Sequence, residues 1–290
     1  MAEPLVEIRN LRVAFASATG VTPAVRGLSL TLGREKLGIV GESGSGKSVT
    51  GRALMRLLPA TADVRADALR FRDTDILRAP ERQMRRLRGG RIGLILQDPK
   101  YSLNPVITIG RQITEALRQH KRIGRGEARD RTLALLESVR IRDPGRVMEA
   151  YPHEVSGGMG QRVMIAMMLA PEPDMLIADE PTSALDSSVQ AEILRLIGDL
   201  VDSRGMALML ISHDLPLVSH FCDRILVMYA GQVMEELKAS ELHRAEHPYT
   251  RGLLACLPSL AKPRGRLPVL TRDPAWLEPQ RPIHQGGAAS

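Results

Sequence analysis

Cysteine is scarce in this chain: Cys222 and Cys256 are the only two in 290 residues, and they lie far apart with no metal-ligand spacing. That count leaves no disulfide framework to build, and the two thiols read as reduced core or boundary residues of a cytosolic protein. Aromatic residues make up only 3% of the chain and do not interleave with its arginines. The stacking platforms that hold single-stranded nucleic acid are therefore absent. The longest apolar run, "VMIAMMLA" at 163–170, falls far short of the roughly 20 residues a membrane-spanning helix needs. The opening "MAEPLVEIRN" has no basic segment leading into an apolar stretch, so no export signal is expected. If this protein works at a membrane, another protein does the spanning.

Hydrophobic residues make up 43% of the chain, enough for a large core in one domain, with or without appendages. The formal charge is +7 and the sequence pI about 9.8. Arginines cluster in "ERQMRRLRGGR" (81–91) and "HKRIGRGEARDR" (120–131). Such clusters suit nucleic acid, anionic lipid or an acidic partner, and more commonly form a solvated helix face.

Residues 41–48, "GESGSGKS", follow the strand-like "KLGIV" and precede the helix-like "VTGRALMRLL". Gly41, Gly46, Lys47 and Ser48 occupy the fixed places of a phosphate-binding loop. The glycines let backbone N–H groups turn around an anion, and the following helix adds its positive end. The reading predicts that Glu42, Ser43, Gly44, Ser45 and Val49 contribute to the same cradle. Lys47 is expected to reach the β- and γ-phosphates, and the Ser48 hydroxyl to ligate Mg2+.

Short apolar runs alternate with longer helical patterns, as in an α/β sheet protein. "VEIRNLRVAF" and "RGLSLTLGREKLGIVG" read as an antiparallel piece feeding the phosphate-loop strand, while "DMLIADE", "ALMLISHD" and "RILVMYAGQVMEE" each read as a further strand. From about 98 to 172 the pattern is helical, with "TIGRQITEALRQH" and "EARDRTLALLESVRI" split by Gly124 and Gly126. Prolines at 248, 258, 263, 268, 274, 279 and 282 predict an extended tail.

Asp179 and Glu180 stand at the end of an apolar strand, where Asp179 can hold Mg2+ and Glu180 can orient or deprotonate an attacking water. Gln97 and His213 end two other apolar runs in the same way. In "VSGGMGQRVMIAMMLA", Ser156, Gly157 and Gly158 open a helix whose Met164, Met167 and Met168 predict a buried face. This is a second anion-binding helix start without a lysine of its own. One lysine-bearing loop and one such start suggest that each ATP is sandwiched between two subunits, while the segment alone is also compatible with a capped helix start.

The set "GESGSGKS", "LQDP", "VSGGMGQR", "MLIADEPTSALD" and "LISHD", in this order, resembles the ATP-binding subunit of an ABC transporter over about residues 5–240. The resemblance implies a P-loop NTPase (RecA-like) core with an antiparallel β subdomain and an inserted helical subdomain. It assigns 1–245 to the ATPase domain, with helices at about 98–172, and 246–290 to a C-terminal extension. By the same resemblance Gln97 is the Q-loop residue and a metal ligand with Ser48 and Asp179. Ser156 to Met159 form the signature, Glu180 is the catalytic acid, Ser183 to Asp186 the D-loop and His213 the switch histidine. Phe15 would stack on adenine or simply fill core.

"QDPKYSLNP", "YPHEVSGGM" and "HPYTRGLLACLP" resemble the oligopeptide, dipeptide and nickel importer branch. That implies ATP and Mg2+, two membrane-spanning permease subunits, a second identical or related ATPase subunit and, indirectly, a solute-binding protein. It also implies a peripheral place on the cytoplasmic face of the inner membrane, with no nucleic acid partner. Val155 and Gly160 depart from the usual leucine and arginine of the signature. Some members carry an iron–sulfur element in the tail, but Cys256 stands alone there, so no cluster is expected. The alternatives are a soluble ABC-type ATPase acting on nucleic acid or ribosomes, and a phosphate-loop kinase. No fused second half, coiled coil or zinc set supports the first, and the signature segment argues against the second.

Overall fold

A computed structural model describes residues 3–17, 20–97, 102–183, 185–257 and 272–278. The chain forms two compact units, one of residues 1–77 with 211–290 and the other of residues 78–210.

The first unit opens with β1 (Val6–Ser17) and β2 (Gly20–Leu32), an antiparallel pair in which Val6 faces Leu32 and Ser17 faces Gly20. Val6, Ile8, Leu11 and Val13 turn inward from β1, and Val25, Leu28, Leu30 and Leu32 from β2. Two inward side chains of β1 are separated by three residues instead of two, because the register shifts between Ile8 and Leu11, where Asn10 takes φ +50°. Then come β3 (Lys36–Gly41), α1 (Lys47–Leu54), β4 (Ala62–Arg65), β5 (Ala68–Phe71) and β6 (Thr74–Asp75). β4 and β5 both pair antiparallel with β1, and β6 with β5. These last strands are too short for an apolar alternation to mark them, and sequence reasoning did not anticipate them.

The second unit begins with α2 (Glu81–Leu87) and β7 (Ile92–Ile95). It continues through α3 (Ile109–His120), α4 (Arg125–Ser138), α5 (Pro144–Glu149) and α6 (Gly157–Leu169). β8 (Met175–Asp179), α7 (Ser187–Arg204) and β9 (Ala207–Ser212) follow, the last two residues of β9 belonging to the first unit. Helix α3 buries Ile109, Ile113 and Leu117 at four-residue spacing. The boundary between α3 and α4 comes just before Gly124, which caps α4, so Gly126 lies inside the first turn of α4. β7 and β8 are parallel neighbours, and their nearly unbroken apolar composition matches burial on both faces.

The chain returns to the first unit with α8 (Leu215–Phe221), β10 (Arg224–Tyr229), β11 (Gln232–Lys238) and α9 (Pro248–Ala255). "RILVMYAGQVMEE" is thus a hairpin instead of the single strand expected. Ala230 (φ +46°) and Gly231 (φ +82°) supply a two-residue turn with positive φ at both central positions. The tail is also less extended than its prolines predict. Pro248 starts α9 and Pro274 starts a short 3-10 turn at Pro274–Leu277, first-turn positions where the missing N–H costs no hydrogen bond. Prolines 258, 263, 268, 279 and 282 lie outside the described residues, as do Asp98 to Tyr101 and Ala184. Among the described residues no helix is long and apolar enough to cross a membrane.

Candidate functional site

β3 delivers the chain into a loop that is shaped by contact with its neighbours in the first unit. Gly41 is buried with φ +151°, and a Cβ there would stand 2.1 Å from the carbonyl oxygen of Met228, its partner on the parallel strand β10. Gly46 caps α1 at φ +94°, where a Cβ would meet the Ala24 carbonyl oxygen at 2.4 Å. Both positions accept glycine alone, first for space and then for backbone conformation. The Gly231 N–H donates to the Ser45 carbonyl at 3.1 Å, and the Arg26 N–H donates to the Gly231 carbonyl at 2.7 Å. The β10–β11 turn and β2 therefore brace the loop.

Lys47 is the first residue of α1 and only 5% exposed. Its ammonium donates to the carbonyls of Gly41 and Glu42, both at 2.8 Å. Two of the three donors of the ammonium are thus spent on aiming the group along the loop. Ser45 Oγ is buried and has no hydrogen-bond partner among the described residues. Such an atom costs about 1–3 kcal/mol, a cost that a phosphate oxygen accepting its proton would remove. Ser43 and Gly44 are exposed at the crown of the loop, while Ser48 and Val49 are half-buried in the first turn of α1. Phe15 is half-buried on β1, opposite Thr22 of β2 and Ala62 of β4.

Glu42 adds contacts that sequence reasoning missed. Its N–H donates to Tyr249 Oη at 3.3 Å, and its carboxylate pairs with Arg272 Nη2 at 3.2 and 3.3 Å. Burial pushes the Tyr249 phenol up to about 12, so it stays neutral. The "HPYT" stretch signalled the tyrosine, but nothing local pointed to its partner.

In the second unit, Ile95 of β7 lies opposite Ala178 of β8, so Gln97 and the Asp179–Glu180 pair leave their parallel strands at the same end. Asp179 is 5% exposed, Glu180 half-buried and Gln97 exposed. Glu180 takes φ +48°, a left-handed conformation that costs a non-glycine residue about 1–3 kcal/mol. Its carbonyl accepts from the Ser183 N–H at 3.3 Å and from Ser183 Oγ at 3.2 Å. The same turn is tied by Gln161, which donates to the Pro181 carbonyl, and by Gln190, which donates to the carbonyls of Thr182 and Leu185 at 3.0 Å. These two amides hold the turn and were not anticipated.

Ser156 caps α6 by accepting from the Met159 N–H at 3.3 Å; it and Gly157 are exposed, and Gly158 is half-buried. Of the expected methionine face only Met164 is fully buried, whereas Met167 and Met168 are half-buried. The helix is enclosed on most sides from Gly160 to Ala166, so its core face is wider than the methionines. His213 follows the last residue of β9 and is exposed. The oxygen donors expected to take a metal are Ser48 in the first unit and Gln97 and Asp179 in the second, a hard set suited to Mg2+.

A family model described as ABC transporter matches residues 25–183. The chain is 49% identical over 271 residues to the "Probable peptide ABC transporter ATP-binding protein" of Sinorhizobium fredii, covering 92% of this chain and 81% of that protein. It is 46% identical over 265 residues to the "Dipeptide transport ATP-binding protein" of Haemophilus influenzae, covering 91% and 80%. Among solved structures it resembles the ATP-binding cassette MJ0796, a dimer bound to ADP and phosphate after hydrolysis. That match has a TM-score of 0.69 and 27% identity over 81% of this chain and 98% of the other. These matches fit an ATPase subunit of a transporter and do not fit the nucleic-acid alternative. The chain belongs to the ABC transporter family, as one of its ATP-hydrolysing subunits.

Proposed function

We propose that this ATPase drives the import of peptides, nickel complexes or related small solutes. It works as a nucleotide-sandwich dimer, with itself or a related subunit, on two permease subunits fed by a solute-binding protein. The observation that carries the reading is the 46–49% identity, over 91–92% of the chain, to proteins named for peptide and dipeptide transport. The protein then sits peripherally on the cytoplasmic face of the inner membrane. Its ATPase domain spans 1–245, with helices at about 98–172 facing the permeases, and 246–290 forms the extension.

In this reading residues 41–49 form the phosphate cradle, Lys47 meets the β- and γ-phosphates and Phe15 lies against adenine. Ser48, Gln97 and Asp179 hold Mg2+, which when bound offsets charge on the phosphates. Glu180 orients the attacking water and takes its proton; the bond from the γ-phosphorus to the bridging oxygen breaks, giving ADP and phosphate. His213 contributes its imidazole at the γ-phosphate. Ser156, Gly157 and Gly158 complete the site of the facing subunit. Contacts present only with ATP close the dimer, and hydrolysis removes them. The tail holds no iron–sulfur cluster, and iron bound in stoichiometric amount after anaerobic purification would contradict that.

Glu180→Gln is the direct test: ATP binding persists, turnover falls about a hundredfold or more, and a dimer accumulates with ATP on size-exclusion chromatography. Wild-type turnover would remove Glu180 from this role. For import itself, a tagged protein extracted from native membranes in mild detergent brings permeases with it; ribosomal partners without a permease would contradict it.

A further inference from the structure

We infer that the C-terminal extension positions the phosphate loop, with Tyr249 and Arg272 holding Glu42 and, through the Glu42 carbonyl, setting Lys47. The inference rests on ATP binding at this loop and goes beyond it by giving the extension a part in that binding.

Three polar groups of Glu42 have three different partners. Its N–H is held by Tyr249, its carboxylate by Arg272, and its carbonyl accepts from the Lys47 ammonium. The extension is docked firmly enough to act on that residue. Tyr249 is fully buried and packs on Tyr229 with ring centroids 4.8 Å apart and on Trp276 at 5.7 Å. Tyr229 directly follows Met228, the residue opposite Gly41, so the aromatic cluster lies beside the strand end from which the loop departs. The second piece of the extension docks by its backbone. The Leu277 carbonyl accepts from Arg26 Nη2 at 2.9 Å, and Gln232 Nε2 reaches the carbonyls of Trp276 and Leu277 at 3.4 Å. Arg26 is also the residue whose N–H bonds Gly231, which in turn bonds Ser45. The extension thus grips the elements that brace the loop as well as the loop itself.

Charge gives the arrangement a purpose. Glu42 places a carboxylate in a loop built for a polyanion, and the Arg272 guanidinium offsets it. Without Arg272 the carboxylate repels incoming triphosphate. Arg272 is largely exposed and Glu42 half-buried, so this contribution weakens with salt. The coupling is also reciprocal: if a docked extension favours ATP, ATP favours the docked extension.

The test uses the full chain, with ATP affinity measured by displacement of a fluorescent nucleotide, alongside steady-state kinetics. Arg272→Ala, at an exposed position, is expected to weaken ATP binding about two- to fivefold at low salt. The change enters KM and leaves kcat nearly unaltered, and it shrinks in about 1 M salt. In a Glu42→Gln background the same substitution has no effect, a non-additivity that a loss of general stability would not produce. Tyr249→Phe keeps the ring contacts and weakens binding about two- to tenfold. Trp276, the only tryptophan of the chain and 9% exposed, reports docking directly. Saturating ATP should shift its emission and reduce its quenching by acrylamide. Wild-type affinity in both variants at low salt, or a Trp276 signal blind to ATP while displacement proves binding, would overturn the inference. A wild-type chain that binds no ATP at all would remove the nucleotide reading and this inference with it.

Discussion

Helix α1 begins on a buried glycine wedged against a carbonyl, whereas α6 begins on an exposed serine that caps its own helix. Both starts can hold an anion, but the first is assembled within its unit: β2, the β10–β11 turn and the C-terminal extension all touch the loop. The second has its serine satisfied by the Met159 N–H and offers an open surface. The contrast teaches that one cradle is preorganised by its own chain, which requires glycine at two crowded positions and a buried lysine. The other is left open at the surface, as the proposed sandwich dimer requires.

The largest expected effect breaks the preorganised side. Lys47→Ala removes charge-assisted contacts to two phosphates and should lower ATP affinity about a hundredfold or more, as equilibrium dialysis would show. Retained affinity would mean that the bracing carbonyls of Gly41 and Glu42 hold the lysine away from the nucleotide. Ser156→Arg addresses the other side: it blocks the exposed helix start and should cut turnover by about tenfold or more, while the isolated chain still binds ATP. Loss of binding in the isolated chain would erase the distinction between the two starts. Ser156→Ala is smaller again, costing about 1 kcal/mol of stability through the lost cap, measurable by urea denaturation.

The smallest effect concerns the extension. His247 Nδ1 accepts from the Tyr249 N–H at 3.1 Å, a role only the neutral ring can fill. Burial lowers its pKa below the ordinary 6.5, against the opposing pull of Glu235, and Trp276 lies 5.9 Å from the ring. The folded state therefore binds this proton more weakly than the unfolded one. The stabilisation is complete above about 6.5 and is lost as pH falls through the lowered value. Acidification from about pH 7.5 to 5.5 should loosen the extension and shift Trp276 emission to the red, and His247→Asn should flatten that profile. An unchanged profile in the variant would assign the shift to another group.

Much of the site was legible because its chemistry is local. Gly41, Gly46, Lys47 and Ser48 lie within one turn and one helix start, so their spacing carries their arrangement. Asp179 and Glu180 were visible as acids ending an apolar run, although the left-handed backbone at Glu180 was not, since the chain around it has no glycine to announce a tight turn. The hairpin at Ala230–Gly231 was misread because "AG" lacks the asparagine or aspartate that usually marks such turns. Gln161 and Gln190 passed unnoticed because an amide that ties a turn looks like any surface glutamine until the carbonyls it meets are known.

By itself the sequence determined the kind of chemistry: a phosphate loop, a carboxylate pair, a serine–glycine helix start and an α/β alternation, all written in spacings of a few residues and therefore set by local backbone geometry. Only the tertiary structure decided what surrounds the loop. Glu42 and Arg272 are separated by 230 positions, and the Met228 carbonyl that forbids a side chain at Gly41 comes from another strand. Contacts at that separation depend on which elements pack together, and no local spacing records them.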